Sequence, residues 1–165
     1  MKILVYGATG TQAKPVVYEL LKQGHTPVAF TRNAAKAEAL AQAGAIIFEG
    51  DMLSEADVQR ASEGMDAIAL LVPFFMQNPL QAGRNAIAAA KQAKVNFMVW
   101  NSSGFIPEER SGSPEADLRI EIQDALADSG IPHVILQPSV YAENLLGPWT
   151  APFVKEQSKV AYPTP

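Results

Sequence analysis

Short apolar runs, several of them β-branched, alternate along this chain with longer alanine-rich stretches whose apolar positions recur at helical spacing. The runs predict strands over residues 2–6, 27–31, 45–49, 67–72, 96–101 and 133–137. The first, fourth and fifth are nearly continuous in apolar residues, which suits strands buried on both faces. Between them, Val16, Val17, Leu20 and Leu21 mark a first helix that Gly24 ends as a left-handed cap. Residues 34–42, 55–62, 79–93 and 114–128 give four more. Ser54 is the expected N-cap of the third helix. Ser113 is that of the fifth, with Pro114 in the favoured first position and Gly130 just past the end. Strands separated by helices in this way predict an α/β fold, a doubly wound parallel sheet with helices on both faces.

The connection after the first strand reads Tyr6-Gly7-Ala8-Thr9-Gly10-Thr11-Gln12-Ala13. A strand before it and a helix after it are the context in which such a turn binds a dinucleotide. Gly7 permits the tight turn, and Gly10 leaves room for a diphosphate to approach the backbone. The helix that follows offers bare N–H groups and the positive end of its dipole to the anion. Ala13, in place of a third glycine, still allows close helix–strand packing, and Pro15 sits in the first turn where its missing N–H costs little. The sheet is therefore expected to be of the Rossmann, NAD(P)-binding kind.

An NAD site places a carboxylate at the end of the second strand, about 20 residues beyond the glycines. Here that segment reads Thr31-Arg32-Asn33, with Lys36 one helical turn later. A guanidinium grips a 2′-phosphate through paired charge-assisted hydrogen bonds, so the expected cofactor is NADP(H) in preference to NAD(H). Gly50-Asp51-Met52 stands where it borders the adenine; Asp51 either accepts from the exocyclic amine or caps the next helix. Val72-Pro73-Phe74-Phe75, after the fourth strand, lies on the ribose and nicotinamide side, as ligand contacts or as simple packing. The polar stretch at residues 104–112 is either a substrate loop or a plain surface loop.

In this order, Gly7-Ala8-Thr9-Gly10-Thr11-Gln12-Ala13, Thr31-Arg32-Asn33, Gly50-Asp51, Asn101-Ser102-Ser103-Gly104 and Pro138-Ser139-Val140-Tyr141-Ala142-Glu143-Asn144 resemble the NmrA-like group of atypical short-chain dehydrogenases/reductases. The resemblance implies a Rossmann domain followed by a smaller substrate lobe in a chain of well over 200 residues. It places Gly7, Thr9, Gly10, Thr11, Gln12, Arg32, Asp51, Pro73, Phe74, Ser102 and Tyr141 at cofactor positions. Lys36, Met52, Val72 and Asn101 complete the expected cofactor set. Residues 1–138 are accordingly read as the dinucleotide-binding domain. Residues 139–165 are read as the start of the substrate lobe and a return segment, left incomplete. Past Val140 the pattern weakens, to one short strand before Tyr162-Pro163-Thr164-Pro165 and no terminal helix.

In the wider superfamily a Tyr-x-x-x-Lys pair on the fifth helix donates the proton and holds the nicotinamide ribose. Here those two positions hold Glu115 and Arg119. Arg119 can hydrogen-bond a ribose but cannot shuttle a proton; both residues equally suit a solvated helix face. Ser102 or Ser103, at the end of the fifth strand, is a candidate to orient a substrate oxygen, though Ser102 equally suits a loop or cap residue, and Tyr141 is a candidate to supply a phenolic proton. The catalytic candidates are thus Ser102, Tyr141 and Arg119. The resemblance implies an oxidoreductase passing hydride from NADPH to a quinone-like or other small conjugated acceptor. The alternative it leaves open is a non-catalytic NADP(H) sensor acting through a protein partner.

Bulk properties narrow the field. A net charge of −4 and a pI near 5.2 argue against a nucleic-acid partner. The absence of cysteine removes disulfides, thiolate metal sites and cysteine nucleophiles. His25 and His133 have no metal or triad context, and no metal is expected. Without a signal peptide or a membrane-length apolar run, the expected location is cytoplasmic and no membrane partner is expected. The expected partner is a small-molecule substrate, with oligomeric state open.

Overall fold

The computed structural model describes residues 1–139, 141–146, 151–157 and 159. Six strands, β1 (Lys2–Val5), β2 (Thr26–Thr31), β3 (Ile46–Glu49), β4 (Ala67–Leu71), β5 (Phe97–Asn101) and β6 (His133–Leu136), form one sheet in the order β3-β2-β1-β4-β5-β6. Every pairing is parallel, with Ile3 beside both Pro27 and Ala67. The sheet order reverses between β1 and β4, so a crevice opens at their carboxyl ends, where doubly wound sheets bind ligands.

The period-two alternation of each strand divides its side chains between two cores. Leu4 and Tyr6 pack with Val28, Phe30, Ile68, Leu70, Met98 and Trp100. That face is covered by α3 (Glu55–Ser62), α4 (Pro79–Gln92) and α5 (Pro114–Ser129). Ile3 and Val5 point the other way, onto Val17 of α1 (Lys14–Lys22) and Leu40 of α2 (Glu38–Gln42). Leu70 is 1% exposed, so its truncation to alanine carries a transfer and cavity cost of about 2–5 kcal/mol.

Local signals act largely as the sequence indicates. Ser54 Oγ accepts from Asp57 N at 3.3 Å and caps α3. Gly24 and Gly130 close α1 and α5 with positive φ. The structure departs from these expectations in four places. The second expected helix begins as a 3₁₀ turn, Ala34–Ala37, because Asn33 Oδ1 caps it by accepting from Ala35 N at 3.0 Å; α2 follows. The Ser113 side chain makes no cap bond. Instead the Asp117 carboxylate reaches back to Ser111 N and Gly112 N at 2.9 and 3.1 Å. A 3₁₀ turn (Ala142–Leu146) and a short helix, α6 (Ala151–Gln157), occur where no terminal helix is expected. The short strand expected before Tyr162 lies outside the described residues, as does Val140.

The fourth departure concerns burial. β4 and β5 are expected to be covered on both faces, yet α1 and α2 reach only across the first half of the sheet. Phe97 at the start of β5 stays 37% exposed, and Leu136 on the neighbouring β6 is 49% exposed. With Val16, Leu20, Leu71 and Val99 they line an apolar groove of about 330 Å³. Among the described residues no helix is long and apolar enough to cross a membrane, and no three His, Asp or Glu side chains gather as metal ligands.

Candidate functional site

β1 delivers the chain into the crevice through Tyr6 and Gly7, the latter at φ +68°. Gly10 N donates to Gly7 O at 2.8 Å, and Lys14 N to Gly10 O at 2.9 Å, winding the loop into α1. The N–H groups of Thr11, Gln12 and Ala13 have no backbone acceptor among the described residues. A Cβ built on Gly10 meets only Gly7 O, at 3.2 Å, so the space in front of these amides is otherwise open. Three free donors at the start of a nine-residue helix, behind a position with no side chain, can hold a diphosphate.

Arg32 follows β2 directly, and Lys36 lies on the 3₁₀ turn beyond it. The bend between them is braced, since Asn33 N donates to Thr31 Oγ1 at 3.2 Å while the Asn33 side chain caps the turn. Both cations are exposed, and among the described residues neither enters an ion pair. Glu49, beside Thr31 in the sheet, makes none with them. The edge of the crevice therefore presents two cations without an ion-pair partner among the described residues, which suits a 2′-phosphate.

At the next strand end, Gly50 N donates to Thr31 O at 2.9 Å. Asp51 does not cap the following helix, which Ser54 caps; its Oδ1 accepts from Leu53 N at 2.9 Å in the turn ahead of α3. Its own N–H donates to Asp57 Oδ2 at 3.0 Å, and that bond, then Arg60, holds the Asp57 carboxyl below the usual carboxylate range. Met52 and Val72 are 5% and 1% exposed within the core. Both can offer a ligand only main-chain atoms. Pro73 is exposed at the crevice and Phe74 half-buried.

The far side of the crevice contains two constellations. In one, Ser103, at φ +55°, donates through Oγ to Gln12 Oε1 at 3.3 Å and through N to Asn101 Oδ1 at 2.9 Å. Tyr141 OH donates to the same Asn101 oxygen at 3.0 Å. Gln12, Asn101 and Tyr141 thus come together, joined by Ser103, whose hydroxyl is the other of the two serines expected to orient a substrate oxygen. In the other, the Arg119 guanidinium lies 4.6 Å over the Phe74 ring and donates from Nε to Ser102 O at 3.0 Å. Glu115 contributes only its carbonyl, which accepts from Arg119 Nη1 at 3.2 Å.

Ser102 departs from expectation. Its residue is 0% exposed, and its hydroxyl lies within 2.6 Å of Gly104 O and 3.0 Å of Leu136 O. A hydroxyl so enclosed tightens the loop and leaves no accessible oxygen to orient a substrate. The polar stretch after β5 is anchored rather than free, because Ile106 is buried and its N–H donates to Gln137 Oε1 at 2.8 Å. That anchoring leaves Phe105 69% exposed, and Phe75 across the crevice is 99% exposed.

A six-stranded parallel sheet of this order, with a glycine turn feeding an uncapped helix at its switch point, defines a dinucleotide-binding α/β protein of the Rossmann type. The NmrA-like family model matches residues 1–165, and the chain belongs to that family. It is 35% identical over 146 residues to quinone oxidoreductase 2 of Escherichia coli, covering 87% of this chain and 50% of that protein. The crystal structure of the E. coli NADPH-dependent quinone oxidoreductase complexed with NADPH superposes with a TM-score of 0.80 at 33% identity. That match covers 93% of this chain and 54% of the other. The photosystem II assembly factor Ycf39 of Synechocystis sp. is 28% identical over 165 residues, covering 96% of this chain and 50% of its own length. The chain spans about half the length of these curated relatives.

Proposed function

We propose that this chain forms the cofactor-binding part of an NADP(H)-dependent oxidoreductase that delivers hydride to a quinone-like or other small conjugated acceptor. The observation that carries the reading is the pairing of free amides at the head of α1 with the bare cations Arg32 and Lys36 beyond β2. The first set suits the diphosphate and the second the 2′-phosphate that distinguishes NADP(H). Residues 1–138 serve as the dinucleotide-binding domain, and 139–165 begin the lobe that shapes the acceptor pocket.

When bound, the dihydronicotinamide supplies the reducing equivalent. Gly7, Thr9, Gly10, Thr11 and Gln12 seat the diphosphate, and Asp51 borders the adenine. Pro73, Phe74, Asn101 and Tyr141 flank the nicotinamide half. Tyr141, held by Asn101, is the phenol that can return a proton to a reduced oxygen, with Asn101 fixing its orientation. Quinone-like acceptors take hydride readily and can protonate from water, so a Glu115/Arg119 pair in place of tyrosine and lysine is compatible with turnover. The exposed rings of Phe75 and Phe105 suit a flat aromatic acceptor.

The second reading, an NADP(H) sensor acting through a protein partner, is favoured by the same substitution on α5 and by the likeness to an assembly factor. Steady NADPH oxidation, followed by the loss of dihydronicotinamide absorbance with a panel of benzoquinones and naphthoquinones, separates the two. Sustained acceptor-dependent oxidation supports the reductase. Tight NADPH binding without oxidation of any acceptor supports the sensor.

A further inference from the structure

Arg119 is a cation of fixed position at the inner end of the crevice. Three neighbours set its plane: the Phe74 ring beneath it, Ser102 O on Nε and Glu115 O on Nη1. Gly104 is the fourth. A Cβ there would stand 3.1 Å from Nη2 and 3.3 Å from Cζ, so the missing side chain lets the guanidinium lie against the loop after β5. Arg84 and Arg110 share the carboxylate of Glu121, but Arg119 has no carboxylate partner among the described residues. An arginine does not deprotonate in proteins. The charge is permanent, unneutralised and pinned between the ends of β4 and β5, on the side of the switch point that receives the second half of a dinucleotide.

We propose that Arg119 makes the site discriminate between the two redox states of the cofactor, a role that rests on the NADP(H) reading above. The nicotinamide ring is neutral in NADPH and carries a positive charge in NADP⁺. A guanidinium held near it opposes only the oxidised form. A lysine here would swing its ammonium into solvent and lose most of the effect; the stacked, doubly hydrogen-bonded guanidinium cannot. NADPH is thereby favoured over NADP⁺ for binding, and the oxidised product is expelled after each turnover. In a sensor the same charge converts the NADPH/NADP⁺ ratio into occupancy.

The test is equilibrium titration of wild type, Arg119→Met and Arg119→Lys with three ligands: NADPH, NADP⁺ and adenosine 2′,5′-bisphosphate, which has no nicotinamide. Wild type is expected to bind NADPH about tenfold or more tighter than NADP⁺, as unit charges several ångströms apart near a protein surface repel by that order. Arg119→Met narrows the ratio by roughly tenfold, chiefly through tighter NADP⁺ binding, and Arg119→Lys falls between. The bisphosphate binds all three proteins within about twofold, showing that the adenosine half of the site is intact. An unchanged NADPH/NADP⁺ ratio in Arg119→Met overturns the proposal while leaving the NADP(H) reading in place. A parallel loss of all three ligands in both variants also overturns it, since Arg119 would then act on the fold. Wild type that binds none of the three refutes the NADP(H) reading itself.

Discussion

Gly10→Ala separates binding from folding. Gly10 is not in the left-handed region, so alanine is conformationally permitted there, and the added methyl meets only Gly7 O at 3.2 Å. Relieving that contact needs a shift of a few tenths of an ångström. The reduced freedom of the unfolded chain offsets it by about 0.4–1 kcal/mol, so stability should change by less than about 1 kcal/mol. The methyl otherwise enters the space before the amides of Thr11, Gln12 and Ala13. A diphosphate held off those donors loses at least two charge-assisted hydrogen bonds, about 3 kcal/mol or more, which is about 100-fold in affinity. Gly7→Ala is the contrasting variant. Its φ of +68° strains any L side chain, and the Cβ stands 3.1 Å from Leu71 Cδ2, so unfolding should become easier by about 1–3 kcal/mol. Urea unfolding and calorimetric titration with NADPH read the two quantities separately. Gly10→Ala protein that binds NADPH as tightly as wild type would refute the placement of the diphosphate.

Three further outcomes are expected. Leu136→Thr on the open sheet face should cost under about 1 kcal/mol of stability, whereas Leu70→Ala in the covered core should cost about 2–5; equal costs would mean the groove is filled. Tyr6→Phe removes a buried hydroxyl that makes no well-formed hydrogen bond among the described residues and whose ionisation burial pushes far up, with the nearby Ser62 hydroxyl opposing more weakly, so its unfolding midpoint should hold or rise; a loss beyond about 1 kcal/mol would mean that the Ser62 contact stabilises the fold. The Asp57 carboxyl lies below its unfolded value of 3.8, so its stabilisation is complete above that pH and is lost as pH falls through the lowered folded value. Asp57→Asn should flatten the acid limb of the stability curve, and an unchanged limb would exclude the Asp51–Arg60 contacts as its cause.

All six strands are legible in the chain because period-two and 3.6-residue patterns differ over a few residues, and the glycine turn is legible because its geometry is local. Caps are less so. Ser54 acts as its position suggests, but Asp117 displaces the Ser113 side chain by reaching back across the loop, and Asn33 winds a 3₁₀ turn ahead of α2. The shape of the crevice follows from the local sequence where a single loop forms it, as in the turn from Gly7 into α1. It is read poorly where several strand ends meet. Nothing in the local pattern shows that the Ser102 hydroxyl turns inward onto Gly104 and Leu136, or that Gly104 makes room for Arg119. Nor does it show that Ser103, bonded to Asn101 two residues before it, also reaches Gln12, 91 residues away. The half-open face of β4–β6 is hidden for a similar reason: an apolar strand reads the same whether or not a helix covers it.

The measurement that bears most directly on the site is the affinity of wild type and Arg32→Ala for NADPH and NADH, titrated side by side at fixed ionic strength. If Arg32 receives the 2′-phosphate, wild type prefers NADPH, and the variant loses about 10- to 100-fold in NADPH affinity while NADH binding stays level. Equal affinity of wild type for the two dinucleotides, or an Arg32→Ala protein that keeps its NADPH preference, would contradict the cofactor assignment at its root.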